Sequence, residues 1–345
     1  MKTEIKQILT LINDNGYEAY VIGGYVRDNY LGINSLDIDI CTSAKSEALK
    51  KIFPNLKYID CFSSNLKINN LDIQITSYRI EHNYNGRKPL DIEYTNSFKE
   101  DLKRRDFTIN SIALDKDGNY IDLYDGIKDL NNHIIRTIDN SDIKIKEDHL
   151  RILRAIRLAT ILNFNIDDML DDSIKKYGYL IKHLSIYRKR QELDKILSSD
   201  NYNYGLSLIN AYNLCDYLGI HNTKNIKYCH NLIGMYYLLD IDMNYLNKKE
   251  LKIFNMLKQY HNKQLNQYDL FVLGYDNIKI MDDVFNSKYL DIYNDLTIKS
   301  EKELKINYDK TNGNIKEIKK SIIINILEGK LKNDFIEIEN FINNK

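Results

Sequence analysis

The chain has 345 residues, more than one compact core usually holds, so two or three domains are expected. Hydrophobic residues make up 43% and charged residues 28%, which excludes a wholly disordered protein, and no apolar run reaches the ~18 residues of a membrane span. Since 49 lysines and arginines balance 49 aspartates and glutamates, the zero net charge argues at first sight against a nucleic-acid partner.

Strands and short helices alternate up to about residue 138, and helices follow. Ile5, Ile8, Leu9 and Ile12 have helical spacing in a first amphipathic helix that does not resemble a secretion signal. Alternation predicts strands at 19–22, 36–41, 57–61, 71–78 and 134–138. After Ser141, helices are predicted at 146–162, 186–198, 203–218, 245–260 and 315–343. The predicted fold class is α+β, an α/β head followed by an all-helical remainder.

Cysteine usage bears on the cellular compartment. Cys41, Cys61, Cys215 and Cys229 are scattered without C-x-x-C spacing. This pattern favours a reduced, cytoplasmic protein over a disulfide or zinc framework, and no membrane partner is expected.

The segment 35–41, S-L-D-I-D-I-C, places two carboxylates on one face of a predicted strand. Asp37 and Asp39 are two residues apart, and successive side chains of a strand point to opposite faces. At about 6–7 Å between their Cα atoms, two such carboxylates can converge on hard cations such as Mg²⁺. An isolated D-x-D is more often a solvated strand face.

A glycine pair stands just before a predicted helix, upstream of these carboxylates. Gly23 and Gly24 would let the backbone approach an anion closely, and Arg27 in the first turns could reach phosphate oxygens. Taken alone, the pair also fits a tight turn in which Arg27 pairs with a nearby acid.

The glycine pair and the two carboxylates together are more specific than either feature alone. G-G-x-V-R-D at 23–28, Leu31-Gly32, and D-x-D followed by Cys41-Thr42 resemble the signature of class II nucleotidyltransferases. This family comprises tRNA CCA-adding enzymes and bacterial poly(A) polymerases, within the DNA polymerase β superfamily. The resemblance implies a catalytic nucleotidyltransferase head at 1–138, a small sheet with flanking helices. It also implies a helical, nucleobase-binding neck at 139–198 and a helical, tRNA-binding body and tail at 199–345.

Two further motifs extend the resemblance. The segment 101–111, D-L-K-R-R-D-F-T-I-N-S, resembles the family's R-R-D-F-T-x-N-A, which implies that Arg105 joins Gly23, Gly24 and Arg27 in seating the triphosphate. The segment 147–157, E-D-H-L-R-I-L-R-A-I-R, resembles the family's E-D-x-x-R helix. The resemblance implies that the helical neighbours Asp148 and Arg151 select CTP and then ATP. Further nucleobase-binding residues would be Arg154 and Arg157.

Two positions depart from the family pattern. Gln74 stands where the family strand generally has an acid, and Asp72 on the same strand face is a candidate to substitute for it. Tyr187 stands where the neck motif has Glu, although Arg188 and Glu192 match. The consequences of both departures are left open by the sequence.

The resulting hypothesis is addition of CCA to tRNA 3′ ends from CTP and ATP by two-metal nucleotidyl transfer, with Asp37 and Asp39 catalytic and holding Mg²⁺. DNA is not an expected partner. Alternatives are a poly(A) polymerase, a partial enzyme adding only CC or only A, an enzyme modifying a small molecule, and a catalytically inactive RNA-binding protein of this fold. An apparently complete segment 79–89 modestly favours addition of all three nucleotides. A basic RNA-facing stripe is predicted at Lys175, Lys176, Lys182, Arg188, Lys189 and Arg190.

Overall fold

A computed structural model describes residues 2–69, 71–85, 88–306 and 315–343. The chain divides into two compact units, Met1–Leu218 and Gly219–Lys345. The predicted domain limits at 138 and 198 both fall inside the first unit. Helices on either side of residue 198 pack against each other there, so the division into units comes only after Leu218.

The first 138 residues build a mixed sheet with helices around it. Within the described residues the sheet has seven strands in the order β3-β4-β5-β2-β1-β8-β9, while β6 and β7 form a separate hairpin. In chain order the elements are α1 (Thr3–Asp14), β1 (Ala19–Ile22), α2 (Gly24–Tyr30), β2 (Ile38–Thr42), α3 (Ser46–Ile52), β3 (Lys57–Tyr58), β4 (Ser63–Ile68), β5 (Leu71–Ser77), β6 (Arg79–Asn85), β7 (Lys88–Tyr94), α4 (Phe98–Lys103), β8 (Ala113–Leu114), β9 (Tyr120–Ile121), α5 (Gly126–Asn132) and β10 (Ile134–Ile135).

Strand β2 is central to the sheet and carries one of the predicted carboxylates. It pairs antiparallel with β1 and parallel with β5, and it buries Ile38 and Ile40 completely. The predicted start of this strand at residue 36 is wrong, because pairing begins only at Ile38. Leu36 remains 73% exposed, and Asp37 lies just before the strand.

One half of the sheet face that carries Asp39 is covered by other parts of the chain. Ile22, Cys41 and Ala113 share this face by strand register, and all three are buried in a cluster with Leu102 of α4. Helix α4 and the segment after it therefore lie over β1, β2 and β8. Their burial fixes the position of the following R-R-D-F-T segment relative to Asp39.

The rest of the first unit is largely helical. Its helices support the site residues of the segment 147–157. Helix α7 packs against α9 and α10, and α6 packs against α8. The single helix predicted at 146–162 is wrong, since Asp148 has extended backbone angles and ends one helix before the next begins. The elements are α6 (Ser141–Glu147), α7 (Leu150–Leu162), β11 (Asn165–Ile166), α8 (Asp168–Tyr177), α9 (Ile186–Leu197), α10 (Tyr202–Ala211) and α11 (Cys215–Leu218).

The second unit is helical in its described residues. Helix α14 packs against α12, α15 and α16, with Ile278, Met281 and Ile322 buried. The predicted helix at 315–343 divides in two at Gly329, which takes left-handed backbone angles. In the first unit, the predicted helix at 203–218 divides in the same way at Asn213. No helix among the described residues is long and apolar enough to span a membrane. The elements are α12 (Leu232–Leu238), α13 (Lys248–Tyr260), α14 (Gln267–Phe285), α15 (Tyr289–Asn294), α16 (Ile315–Leu327) and α17 (Phe335–Asn343).

Candidate active site

A cleft of about 550 Å³ in the first unit brings together residues from every motif except the neck motif. Asp37, Arg27 and Arg157 are not among its lining residues. The predicted site residues that line it are Gly23, Gly24, Asp39, Arg105, Asp148, Arg151 and Arg154. Positions separated by more than 100 residues in the chain thus share one concave surface.

Asp39 faces this cleft from β2, with Asp37 beside it. Burial, together with the negative charge of Asp37, raises the pKa of Asp39 to about 6, although the positive charge of Arg105 partly opposes this. Two carboxylates that disfavour each other's ionisation are stabilised by a cation placed between them. Asp39 lines the cleft, whereas Asp37 is exposed at its edge.

The donor set suits Mg²⁺, which usually takes one or two protein carboxylates and completes its shell with water and substrate phosphates. No group of three or more His, Cys, Asp or Glu side chains with the geometry of a metal site occurs among the described residues. The suggestion that Asp72 substitutes for the acid missing at Gln74 stays a prediction. The carboxylate of Asp72 accepts a hydrogen bond from Asn65 and pairs with Lys67 at 3.2 Å.

The turn between β1 and α2 approaches Asp39 closely. Gly23 has φ +83° and ψ −146°, a backbone conformation that is essentially restricted to glycine, and it begins helix α2. A Cβ atom at this position would lie 3.4 Å from Oδ2 of Asp39. The free N–H groups of the helix start and the cation site are thus neighbours, an arrangement suited to a triphosphate.

We expect Gly23→Ala to destabilise the protein by about 1–3 kcal/mol, since alanine is strained in this conformation. The KM for CTP should also rise, because the turn that is expected to seat the triphosphate shifts. Urea unfolding and steady-state kinetics measure the two effects. Gly118 also has a positive φ, +89°, but lies outside the cleft lining. Gly118→Ala should therefore lose stability and keep the wild-type KM, and an unchanged KM for Gly23→Ala would contradict the assignment.

A chain of hydrogen bonds connects the G-G-x-V-R-D, R-R-D-F-T and E-D-x-x-R motifs. Nη1 of Arg27 donates to Oδ1 of Asn110 at 2.7 Å, and Nδ2 of Asn110 donates to Oδ1 of Asp106 at 3.2 Å. Nε of Arg154 donates to Oδ2 of Asp106 at 2.8 Å. Arg27 also pairs with the adjacent Asp28 at 2.7 Å, as a simple turn would predict. Arg27 therefore supports the cleft wall from behind, while Arg154 lines the cleft.

Asp101 orients the two arginines of the R-R-D segment. This fully buried carboxylate accepts from Nε of Arg104 at 2.9 Å and from Nη2 of Arg105 at 3.3 Å. Nε of Arg105 is buried without a hydrogen-bond acceptor among the described residues. A buried donor without a partner is costly, and a bound phosphate oxygen would satisfy it. The spacing of Asp101 three and four residues before the arginines is the sequence signal for its role.

The guanidinium of Arg151 is held by two backbone carbonyls and one carboxylate. Its Nη1 donates to the Lys144 carbonyl and to Oε2 of Glu147, both at 2.7 Å, and its Nη2 donates to the Arg104 carbonyl at 2.8 Å. Asp148 and Arg151 are thus not on one helix as predicted, and Arg151 forms an ion pair with Glu147. Asp148 lies at the break between helices, where its Oδ1 accepts from the Leu150 N–H. Both Asp148 and Arg151 line the cleft.

Arg157 has a different environment from the other predicted base-binding residues. Its Nε donates to Oε2 of Glu192 on α9 at 2.5 Å, and it does not line the cleft. The neck-motif glutamate therefore fixes α7 against α9. Tyr187, which replaces the family's Glu, is 65% exposed and accepts from Gln191 at 2.9 Å.

Three of the six residues of the predicted basic stripe pair with carboxylates. Lys175 and Lys176 pair with Asp171 and Asp142, and Nζ of Lys189 donates to the Tyr217 carbonyl at 2.6 Å. Arg190 lies 3.5 Å from a carboxylate oxygen of Asp194. The role of this stripe in binding RNA stays a prediction, and Asp142 is the one of these acids that is distant in sequence.

The hairpin β6–β7, for which no strands were predicted between 79 and 94, forms a wall of the cleft. Glu81 lies between Nε of Arg79 at 2.6 Å and the hydroxyl of Tyr84 at 2.7 Å, and Nη1 of Arg104 is 3.8 Å away. The positive charge of Arg104 is the largest influence lowering the pKa of Glu81, against the effect of its burial. In the sequence, the signal for this hairpin was the alternation of polar residues on both sides of a short connection.

Known proteins resemble this chain in sequence and in fold. A family model described as poly A polymerase head domain matches residues 19–136, and one described as probable RNA and SrmB-binding site of polymerase A matches residues 163–220. The CCA-adding enzyme of Staphylococcus haemolyticus is 32% identical over 378 residues, 96% of this chain and 94% of that protein. The chain belongs to the CCA-adding enzyme family.

The match to one other CCA-adding enzyme is more local. That of Ligilactobacillus salivarius is 41% identical over 204 residues, so the aligned part spans 58% of this chain and 50% of that relative. A crystal structure of the Bacillus stearothermophilus CCA-adding enzyme in complex with CTP has a TM-score of 0.84 at 23% identity, covering 100% of this chain and 98% of that one. This likeness concerns the fold, and it confirms the predicted α+β class.

Proposed function

We propose that this protein adds C, C and A to the 3′ end of tRNA from CTP and ATP. The observation that supports this most directly is the single cleft shared by Asp39, the Gly23–Gly24 turn, Arg105 and the Asp148–Arg151 pair. One nucleotide could be held there by its triphosphate and its base together. Family membership and the CTP complex of the Bacillus relative agree with that use of the cleft.

The reaction joins the 3′-hydroxyl of the RNA to the α-phosphorus of the nucleotide. The O–P bond forms as the bond to the pyrophosphate leaving group breaks, and the hydroxyl proton is lost to solvent. Asp37 and Asp39 would hold Mg²⁺, which lowers the pKa of the attacking hydroxyl and neutralises charge on the phosphates. The chain itself contributes the turn at Gly23, which places N–H donors beside Asp39, and Arg105, whose unpaired Nε–H suits a phosphate oxygen.

Base selection is assigned to Asp148 and Arg151. The three contacts that hold Arg151 leave its Nε–H and one Nη2–H without an acceptor among the described residues. Two donors and an adjacent carboxylate acceptor complement the hydrogen-bonding edges of cytosine and of adenine. A fixed guanidinium keeps this pattern rigid. Arg154, held by Asp106, would contribute a further cation, whereas we assign Arg157 to support of α7.

The deciding test uses the purified chain with Mg²⁺ and three tRNA transcripts ending before CCA, after C, and after CC. We expect labelled CTP to be incorporated into the first two and labelled ATP only into the third. Unlimited ATP addition would indicate a poly(A) polymerase, and incorporation of a single nucleotide type would indicate a partial enzyme. Binding without incorporation would support the inactive RNA-binding alternative. We place the activity in the cytoplasm, since tRNA and both nucleotides are available there.

A further inference from the structure

The sheet face that carries Asp39 continues beyond it as a row of polar side chains. By strand register Gln74 on β5 lies opposite Asp39, Asn65 on β4 opposite Gln74, and Lys57 on β3 opposite Asn65. Directly paired residues project from the same face, so all four point the same way. We call Gln74, Asn65 and Lys57 the polar ladder.

The polar ladder is accessible, in contrast to the other half of this face. Gln74 and Lys57 are exposed and Asn65 is half-buried, whereas Ile22 and Ala113 on the opposite side of Asp39 are buried under α4. With strands about 4.8 Å apart, the row from Asp39 to Lys57 extends about 14 Å. The carboxylate therefore stands at the boundary between a covered and an open half of one sheet.

The ladder residues are separate from the lining of the nucleotide cleft. None of Gln74, Asn65 and Lys57 lines that cleft, which contains Asp39 and extends to Phe62 just before β4. Transfer requires a second substrate whose 3′-hydroxyl reaches Asp39 from outside the nucleotide site. The open half of the face is continuous with Asp39 and provides such an approach.

The chemistry of the ladder fits a nucleic acid strand. Primary amides both donate and accept hydrogen bonds, as ribose hydroxyls and base edges require, and a lysine can neutralise a phosphate. Asp72, next to the ladder on β5, accepts a hydrogen bond from Nδ2 of Asn65 and pairs with Lys67, so contacts to a strand rest mainly on Gln74 and Lys57. Resting on the proposed function, we propose that the polar ladder binds the single-stranded 3′ end of the acceptor RNA and aligns its terminal hydroxyl with Asp39.

Kinetics on the full chain separate this role from nucleotide binding. For Gln74→Ala and Lys57→Ala we expect the KM for tRNA lacking CCA to rise about 3- to 10-fold, the loss of one hydrogen bond or ionic contact, with the KM for CTP within twofold of wild type. Lys51 is an exposed lysine on α3, and Lys51→Ala provides a control with the same loss of charge. Unchanged tRNA KM values in both ladder variants, or the same rise in Lys51→Ala, would overturn the proposal.

Binding without nucleotide tests the ladder separately from catalysis. Fluorescence anisotropy should show that the wild type prefers tRNA ending in CC over tRNA trimmed to a blunt acceptor stem. The ladder variants should lose that preference, and Lys57→Ala should reduce the slope of log Kd against log salt by about 0.7. A retained preference in the variants would refute the ladder. Failure of the wild type to incorporate CTP and ATP, with this binding pattern intact, would instead refute the proposed function.

Discussion

Asp39→Asn is expected to abolish addition of both CTP and ATP while making the Mg²⁺-free protein more stable. The substitution removes a carboxylate that would hold the cation, and several kcal/mol of transition-state stabilisation correspond to a rate loss of about 1,000-fold. In the Mg²⁺-free fold, however, this carboxylate is buried beside Asp37. Asparagine carries no charge to desolvate, so the unfolding free energy at pH 8 should rise by about 1–3 kcal/mol.

The pH dependence of that gain has a definite sign. The pKa of Asp39 is raised from 3.8 to about 6, so ionisation opposes folding above pH 6 and has no effect below about pH 4. The stability difference between Asp39→Asn and wild type should therefore vanish as pH falls through this window. Mg²⁺ should stabilise the wild type more than the variant. Asp14→Asn, an exposed change on α1, is the control and should show none of these effects. Near-normal incorporation by Asp39→Asn would refute the metal assignment.

Asp106→Asn is expected to weaken both stability and nucleotide binding. Asp106 binds Arg154 with one carboxylate oxygen and Asn110 with the other, and these contacts hold its pKa well below the usual range. Removing one partner of a largely buried ion pair should cost about 2–4 kcal/mol at pH 7. Because Arg154 and, through Asn110, Arg27 lose their support, the KM for both nucleotides should rise about 10- to 100-fold.

Glu192→Gln is the matched control for this prediction. The Arg157–Glu192 pair is also largely buried, but it joins α7 to α9 outside the cleft. Its loss should destabilise the fold by a similar amount and leave nucleotide KM values within about twofold of wild type. Urea unfolding and kinetics below the onset of unfolding distinguish the two variants. Equal KM changes would mean that Asp106 acts only through global stability.

Local sequence patterns predicted much of the fold and the residues of the site. The glycine pair and the helical spacing of Ile5, Ile8, Leu9 and Ile12 depend on a few neighbouring residues, and the fold bears these patterns out. Of the D-x-D pair, only Asp39 lies on the strand and lines the cleft. The helix boundaries were less well predicted. The break at Asp148 and the start of β2 at Ile38 depend on what each segment packs against, which a periodic pattern does not contain.

The sequence by itself determined the family, the α+β class and which carboxylates, glycines and cations are candidates for chemistry, because each motif is short and contiguous. Only the tertiary structure decided their roles. It paired Arg157 with Glu192, fixed Arg151 through Glu147 and neutralised Lys175 and Lys176. It also covered one half of the sheet face beside Asp39 and left the other open. The physical reason is that desolvation and the Arg157–Glu192 and Lys176–Asp142 pairs depend on segments tens of residues apart, which become neighbours only when the chain folds.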